Sequence, residues 1–155
     1  MLISDPLPSD SLLLDTHIWV WLSGQLDPPK FARRFYPRID QAAADRRLYV
    51  CAASVWEIAL KIQRGIVIIP GELNLWIKEQ SRASGVQILT LNSELLIEST
   101  RLPTWIRADG KEHKDPSDRF IVAAARRRNA VLITCDTAIL DYARQGHLQA
   151  CDARL

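Results

Sequence analysis

The chain has 155 residues, 25% of them charged and 48% hydrophobic, which predicts one globular domain and excludes wholesale disorder. Its 20 Lys and Arg residues are nearly balanced by 18 Asp and Glu residues. This balance excludes a protein that holds nucleic acid by bulk charge alone, although it leaves room for a local basic face. The longest hydrophobic run has six residues, far below the roughly 18 that a membrane span needs.

The first ten residues predict a loose leader. They contain Pro6, Pro8 and two acidic residues before any apolar stretch, which is unlike a signal peptide. We therefore expect a cytoplasmic protein with a single domain over residues 11–155. The three cysteines form no Cys-x-x-Cys pair and have no nearby histidine cluster, so we expect reduced thiols rather than a zinc site or disulfides.

Short apolar runs alternate with segments of helical periodicity. We predict an apolar run at 11–14 and then strands at 48–51, 86–91, 131–135 and, last, 149–151. The predicted helices lie at 16–23, from 30 to about 46 after a start at Pro28 and Pro29, and at 54–64, 72–84, 92–100, 116–128 and 137–144. An extended stretch is predicted at 66–69 and a polar loop at 102–114. This alternation is typical of a parallel α/β sheet.

Four acidic residues lie at or just after predicted transitions into helices. Asp15 ends the run LLLD, Glu57 lies in the first turn of the helix after LYVC, and Asp136 ends LITCD. Asp118 opens a helix that follows the polar loop rather than a strand. Because the carboxyl ends of parallel strands share one edge of the sheet, where such folds build their sites, we expect the four carboxylates to converge.

A divalent cation would relieve the repulsion among four converging carboxylates at pH 7. Ligation by oxygen alone favours Mg²⁺ or Mn²⁺. No phosphate-binding glycine loop and no G-x-S-x-G motif occurs in the sequence, so it lacks these signatures of nucleotide-binding and serine hydrolase sites.

Each acidic residue also has a purely structural interpretation. Ser54 and Glu57 have the spacing of a capping box, and Asp15 and Asp136 each precede a predicted helix that they would cap. Asp115 precedes a proline, which is typical of an N-cap followed by the first helical position. For Asp115 we favour this capping role.

The position of Asp118 favours a functional role more strongly than the positions of the other acidic residues do. Ile121, Val122 and Ala125 lie three, four and seven residues further along the chain, so Asp118 shares the apolar face of their helix. A carboxylate on a face that packs on the core needs a partner, since burying it alone costs several kcal/mol. A metal ion and an arginine are both suitable partners.

Basic residues outnumber acidic residues eight to four over residues 101–128. The excess indicates either a solvated face or a rim that binds phosphates beside the acidic residues. Our candidates for nucleic-acid contact in this segment are Lys114, Arg119 and Trp105, because an aromatic ring in a polar loop is suited to stacking on a base. The other tryptophans, which we expect in the core or at an interface, are Trp19, Trp21, Trp56 and Trp76.

Four stretches occur in order along the chain: LLLDTHIWVW around Asp15, ASVWEIALKIQRG at 53–65, DPSDRFIVAAA at 115–125 and LITCDTAIL at 132–140. This ordered set resembles PIN-domain nucleases, in particular the VapC-type toxins of toxin–antitoxin systems. The resemblance runs from about residue 11 to the C-terminus. It implies a three-layer α/β/α sandwich around a short parallel sheet and an endoribonuclease that depends on Mg²⁺ or Mn²⁺.

Carried over residue by residue, the acidic positions of the family fall on Asp15, Glu57, Asp118 and Asp136. Thr134 falls on a polar position beside the last of them, and Ser117 stands where the family often has a large apolar residue. The resemblance also implies a homodimer and a cognate antitoxin that blocks the site.

Our hypothesis is that Asp15 and Asp118 hold one metal ion directly. Glu57 and Asp136 bind through water or hold a second ion, and Asp115 assists at the rim. The substrate is an RNA phosphodiester. Two alternatives stay open. One is a non-catalytic RNA- or protein-binding module in which the acidic residues are helix caps, and the other is a metal-dependent DNA nuclease.

Overall fold

The structure is a computed structural model that describes residues 1–24 and 30–154. Its centre is a sheet of five parallel strands in the order β3-β2-β1-β4-β5. The strands are β1 (Leu12–Leu14), β2 (Leu48–Cys51), β3 (Gln87–Leu89), β4 (Val131–Thr134) and β5 (Ala150–Asp152). All four neighbouring pairs are parallel, and Leu13 of β1 lies between Tyr49 of β2 and Leu132 of β4.

Helices cover both faces of this sheet. They are α1 (Thr16–Leu22), α2 (Tyr36–Ala44), α3 (Ala52–Gln63), α4 (Leu73–Ser84), α5 (Ser93–Thr100), α6 (Pro116–Arg128) and α7 (Thr137–Arg144), with a 3-10 helix at Lys30–Phe35. Residues in a strand alternate between the two faces. Accordingly Leu12 and Leu14 belong to one buried cluster and Leu13 to the other. The predicted α/β/α sandwich is thereby confirmed.

The predicted elements are found with ends shifted by a few residues. The largest difference is in the helix predicted from 30 to about 46, which is divided into the 3-10 helix Lys30–Phe35 and the α-helix Tyr36–Ala44. Helix α3 begins at Ala52 rather than at Ser54, because β2 runs directly into it through the extended residue Cys51. The segment 66–69 is neither helix nor strand. The predicted start of a helix at Pro28 and Pro29 lies outside the described residues.

The leader is not loose, contrary to the prediction. Leu2 forms a parallel bridge with Ala150 of β5, and the Ile3 amide donates to the Ala150 carbonyl at 2.8 Å. Arg47 donates to the carbonyls of Pro8 and Asp10. The physical reason is that β5 would otherwise present unpaired backbone groups at the edge of the sheet.

Two of the tryptophans predicted to lie in the core are buried there. Trp19 and Trp76 pack with ring centroids 6.4 Å apart, and Trp21 is partly buried. Trp56 is 56% exposed, so a core position is wrong for it. The three cysteines are free thiols, as expected, and they are Cys51, Cys135 and Cys151.

No helix in residues 1–24 or 30–154 is both long enough and apolar enough to span a membrane.

Candidate functional site

The site lies where the chain leaves two adjacent strands, the central strand β1 and its neighbour β4. From β1 the sheet extends through β2 to β3 on one side and through β4 to β5 on the other. The carboxyl ends of β1 and β4 are therefore a topological switch point, the place where open α/β sheets bind ligands. Asp15 follows β1 and Asp136 follows β4, two residues beyond its end.

Asp15 is buried and hydrogen-bonded, with 4% of its surface exposed. The Thr134 hydroxyl donates to Asp15 Oδ2 at 2.6 Å, and the Thr16 amide donates to Oδ1 at 2.8 Å. The Thr134 hydroxyl in turn accepts from the Asp136 amide at 3.0 Å. Thr134 therefore links the two acidic residues through its hydroxyl group.

His17 lies beside Asp15, with one of its ring nitrogens near the carboxylate. Its Nε2 accepts from the Cys135 amide at 3.0 Å, so the ring proton of a neutral imidazole lies on Nδ1. Nδ1 is 3.7 Å from Asp15 Oδ2, which is too long for a hydrogen bond. The positive edge of the ring therefore faces the carboxylate without occupying its lone pairs.

Glu57 is positioned by a residue of α6 rather than by a capping box. The buried Ser117 hydroxyl donates to Glu57 Oε1. Ser54 lies inside α3, where its hydroxyl accepts from the Thr16 hydroxyl at 2.9 Å. The capping-box interpretation of Ser54 and Glu57 is therefore wrong, because α3 starts two residues before Ser54.

Asp118 is paired with a residue that the sequence analysis missed. His113 Nε2 lies 2.8 Å from Asp118 Oδ2, so the side chain that pairs with this carboxyl group is a histidine rather than an arginine. His113 is buried, and its Nδ1 has no hydrogen-bond partner in the described part of the chain. The signal available in the sequence was a histidine five residues before an acidic residue on an apolar helix face.

The electrostatics of the site centre on Asp118. Burial, followed by the charges of Asp136, Asp15, Asp115 and Glu57, raises the pKa of Asp118 to about 8. Burial also lowers the pKa of His113. Both shifts favour the uncharged forms of these two side chains.

Four of the acidic residues line a cleft of about 440 Å³ that runs between α3 and the start of α6, whereas the buried Asp15 does not line it. Its lining includes Glu57, Asp115, Ser117, Asp118 and Asp136. Within residues 1–24 and 30–154, no three acidic, histidine or cysteine side chains meet closely enough to enclose a metal ion by themselves. A cation here would thus keep several waters, as Mg²⁺ normally does.

A divalent cation fits the chemistry of this donor set. All the acidic side chains that raise the pKa of Asp118 offer carboxylate oxygens, the ligands that Mg²⁺ and Mn²⁺ prefer. Burial is the largest cause of the raised pKa of Asp118, and the four neighbouring carboxylates raise it further. A cation is the group that would relieve their repulsion.

The family follows from a comparison with known protein families. The family model described as PIN domain matches residues 12–145, most of the chain. The chain belongs to the PIN domain family. No curated protein sequence matched it.

Solved structures share the fold of this PIN domain at low sequence identity. FitAcB from Neisseria gonorrhoeae is 18% identical with a TM-score of 0.62, covering 92% of this chain and 97% of that chain. VapBC2 from Rickettsia felis, in a structure with a DNA fragment from the VapBC2 promoter, is 15% identical with a TM-score of 0.61, covering 97% of this chain and 97% of that chain. DNA-bound VapBC from Salmonella typhimurium is 19% identical with a TM-score of 0.60, covering 92% and 98%.

Three acidic residues of the PIN domain are also helix caps, as the structural interpretation predicted. Asp15 caps α1, Asp115 Oδ1 accepts from the Asp118 amide at 3.1 Å, and Asp136 Oδ1 accepts from the Ile139 amide at 3.0 Å. Capping uses one carboxylate oxygen of each side chain. Among the residues that the structure describes, no hydrogen bond occupies the second oxygen of Asp115 or of Asp136, which can therefore act in the cleft.

The predicted nucleic-acid contacts are placed differently in the PIN domain. Trp105 is 1% exposed and stacks on Tyr142 and His113, with centroids 4.4 and 4.2 Å away. Stacking of Trp105 on a base is therefore wrong: its loop folds inward, and Nε1 donates to the Ala138 carbonyl at 3.2 Å. Arg119 donates to the carbonyls of Ser99 and His113, whereas Lys114 is exposed near Glu112.

Proposed function

We propose that this PIN domain is a metal-dependent endoribonuclease that acts as the toxin of a toxin–antitoxin pair. The observation that carries the proposal is the group of carboxylates that converge from four separate segments on the buried Asp118, whose pKa is raised to about 8 by burial and then by these charges. Structural caps alone would not need to be collected around one buried carboxyl group. Membership of the PIN family supports nuclease chemistry.

In this proposal Asp15 and Asp118 hold the cation, and Glu57 and Asp136 bind it through water or hold a second ion. Asp115, at the rim of the cleft, assists. A divalent cation supplies Lewis acidity for activating water and offsets the negative charge of the scissile phosphate.

The neighbours of the carboxylates fix their orientation. Thr134 and Thr16 donate to Asp15, Ser117 donates to Glu57, and His113 pairs with Asp118. Fixed orientation matters because a carboxylate that positions the attacking water contributes only when it lies in the productive geometry. The bond that breaks is a phosphodiester bond of RNA.

The proposed partners are an antitoxin and a second copy of the chain. The similar structures from Neisseria gonorrhoeae, Rickettsia felis and Salmonella typhimurium are of FitAcB and VapBC proteins, and a structure from Klebsiella pneumoniae is of a toxin–antitoxin complex. This likeness supports a cognate antitoxin as a partner. In our proposal the antitoxin blocks the cleft and a homodimer is the active unit. The cytoplasm is the proposed compartment.

The decisive experiment is cleavage of a panel of structured RNAs by the purified protein. Mg²⁺ and Mn²⁺ are compared with EDTA, and Asp118→Asn is assayed beside wild type. Asp40→Asn, an exposed acidic residue on α2 outside the cleft, is the matched control. We expect cleavage that needs metal, is lost in Asp118→Asn and is unchanged in Asp40→Asn.

Other outcomes point to the alternatives. Cleavage that persists in Asp118→Asn at the wild-type rate would remove Asp118 from the mechanism. Preferential cutting of single-stranded DNA in a competition with RNA would indicate a DNA nuclease. Absence of both cleavage and divalent-ion binding in a calorimetric titration would indicate a non-catalytic binding module whose acidic residues are caps.

A further inference from the structure

The cleft that holds the acidic residues has a second wall of a different character. Beyond Glu57, helix α3 and the segment after it line the same cleft with apolar and basic side chains. These are Trp56, Leu60, Lys61, Arg64 and Ile66. The cleft is therefore acidic on the side of α6 and α7 and both apolar and basic along α3.

Trp56 is the large aromatic side chain on this wall. It is 56% exposed, and its ring contacts no other ring or cation in the described residues. Because this indole is exposed beside the acidic residues, a face of its ring is accessible to a ligand in the cleft. Ile66, also 56% exposed, extends the apolar surface.

Two cations follow Trp56 along α3. Lys61 is one helical turn after Glu57, and Arg64 is two turns after Trp56, about 12 Å along the helix axis. Neither side chain forms an ion pair within the described ranges 1–24 and 30–154. Their positive charge is therefore available to a ligand, although they line the same cleft as the acidic residues.

We propose that this wall is a subsite for an unpaired nucleotide of the substrate, with its base stacked on Trp56 and the adjoining phosphates bound by Lys61 and Arg64. The inference rests on the proposed ribonuclease function and deepens it, because it assigns the residues that bind one nucleotide of the substrate. A polyanion that carries flat apolar bases matches both the cations and the indole. A base inside a duplex has no free face, so only an unpaired base satisfies this wall.

The test is binding of a fluorescently labelled, randomised 12-nucleotide RNA, with the same pool annealed to its complement as the duplex competitor. All variants are made in the Asp118→Asn background, so that cleavage does not interfere. We expect Trp56→Ala to weaken binding about 5- to 150-fold, the range for loss of one base stack, and Trp56→Phe to retain most of it. Leu75→Ala, an exposed apolar residue on α4, should leave binding unchanged.

The salt dependence of RNA binding tests the roles of Lys61 and Arg64. Lys61→Ala and Arg64→Ala should each reduce the slope of log K against log salt by about 0.7, as expected for one phosphate contact to a single strand. Lys78→Ala, an exposed cation on α4, should not change the slope. Sedimentation of each variant records its oligomeric state alongside binding.

Failure of this inference is distinguishable from failure of the proposed function. Three results would each contradict the subsite: no detectable RNA binding by the Asp118→Asn protein, equal binding of duplex and single strand, or unchanged binding in Trp56→Ala. None of them would contradict metal-dependent cleavage, which the cleavage assay tests separately. Dissociation into monomers in Trp56→Ala with binding per monomer unchanged would assign this wall to a subunit interface and also overturn it. Binding that depends on Trp56 in a protein that never cleaves RNA would support the subsite and refute the nuclease.

Discussion

Asp118 lies in an environment that opposes its own charge. It opens α6 on the face that carries the buried Ile121 and Val122, and its hydrogen-bond partner is the buried His113. The position of Asp118 on an apolar face follows from helical spacing in the sequence. Its partner does not, because His113 is brought to it by the inward fold of the loop that also buries Trp105.

The raised pKa of Asp118 predicts how stability depends on pH. In the folded protein its pKa is about 8, whereas an unfolded aspartate titrates near 3.9. Between these values the folded state holds a proton that the unfolded state has released. Raising the pH therefore destabilises the fold progressively from about pH 4 to pH 8.

Asp118→Asn should remove this penalty. In EDTA we expect the Tm of Asp118→Asn to exceed that of wild type by a margin that grows from pH 5 to pH 8, reaching on the order of 5 °C. Calorimetry or circular dichroism across this pH range measures it, with Asp40→Asn as the control. A constant margin at every pH would show that the carboxyl of Asp118 does not titrate in this range.

At the scale of elements, the ends of helices are set by local chemistry that can be read from the sequence. Asn92 caps α5 by accepting from the Leu95 amide at 2.9 Å. Gly85 ends α4 in the left-handed conformation, with φ of 71°. The start of α3 was predicted less well, since the capping-box spacing of Ser54 and Glu57 arises from the site rather than from a helix end.

Two glycines with the same conformation allow a matched test of packing. Gly65 and Gly85 have φ of 70° and 71°, but a Cβ at Gly65 would meet nothing within 4 Å, whereas one at Gly85 would lie 3.0 Å from the Ala43 Cβ. Gly65→Ala should cost about 1 kcal/mol from backbone strain alone, and Gly85→Ala should cost more. Urea unfolding measures the loss of unfolding free energy in both variants. Equal losses would mean that α2 and α4 move apart to make room for the Cβ without a cost in free energy.

At the scale of the whole molecule, the acidic residues join segments that are far apart in sequence. Asp15, Glu57, Asp118 and Asp136 come from the ends of β1 and β4 and from helices α3 and α6. Their mutual repulsion opposes the packing of these segments at one edge of the sheet. A ligand that binds only the assembled group therefore stabilises the entire fold.

Mg²⁺ or Mn²⁺ should accordingly raise the Tm of wild type. A concentration 100 times the Kd corresponds to about 2.7 kcal/mol of added stability, a shift of several degrees. Asp118→Asn should lose most of this shift, whereas Asp40→Asn should keep it. Differential scanning calorimetry with and without the cation checks this, and an identical rise in all three proteins would contradict binding at the acidic cluster.

The sequence by itself determined the α/β class, the order of the elements and which acidic residues reach the strand ends. Hydrophobic periodicity and caps are local properties, and parallel strands must place their carboxyl ends together. Only the tertiary structure decided which side chains meet across elements. It paired Ser117 with Glu57 and His113 with Asp118, buried Trp105 and left Trp56 exposed at the cleft. These outcomes depend on how loops and helices pack against one another, which no local pattern encodes.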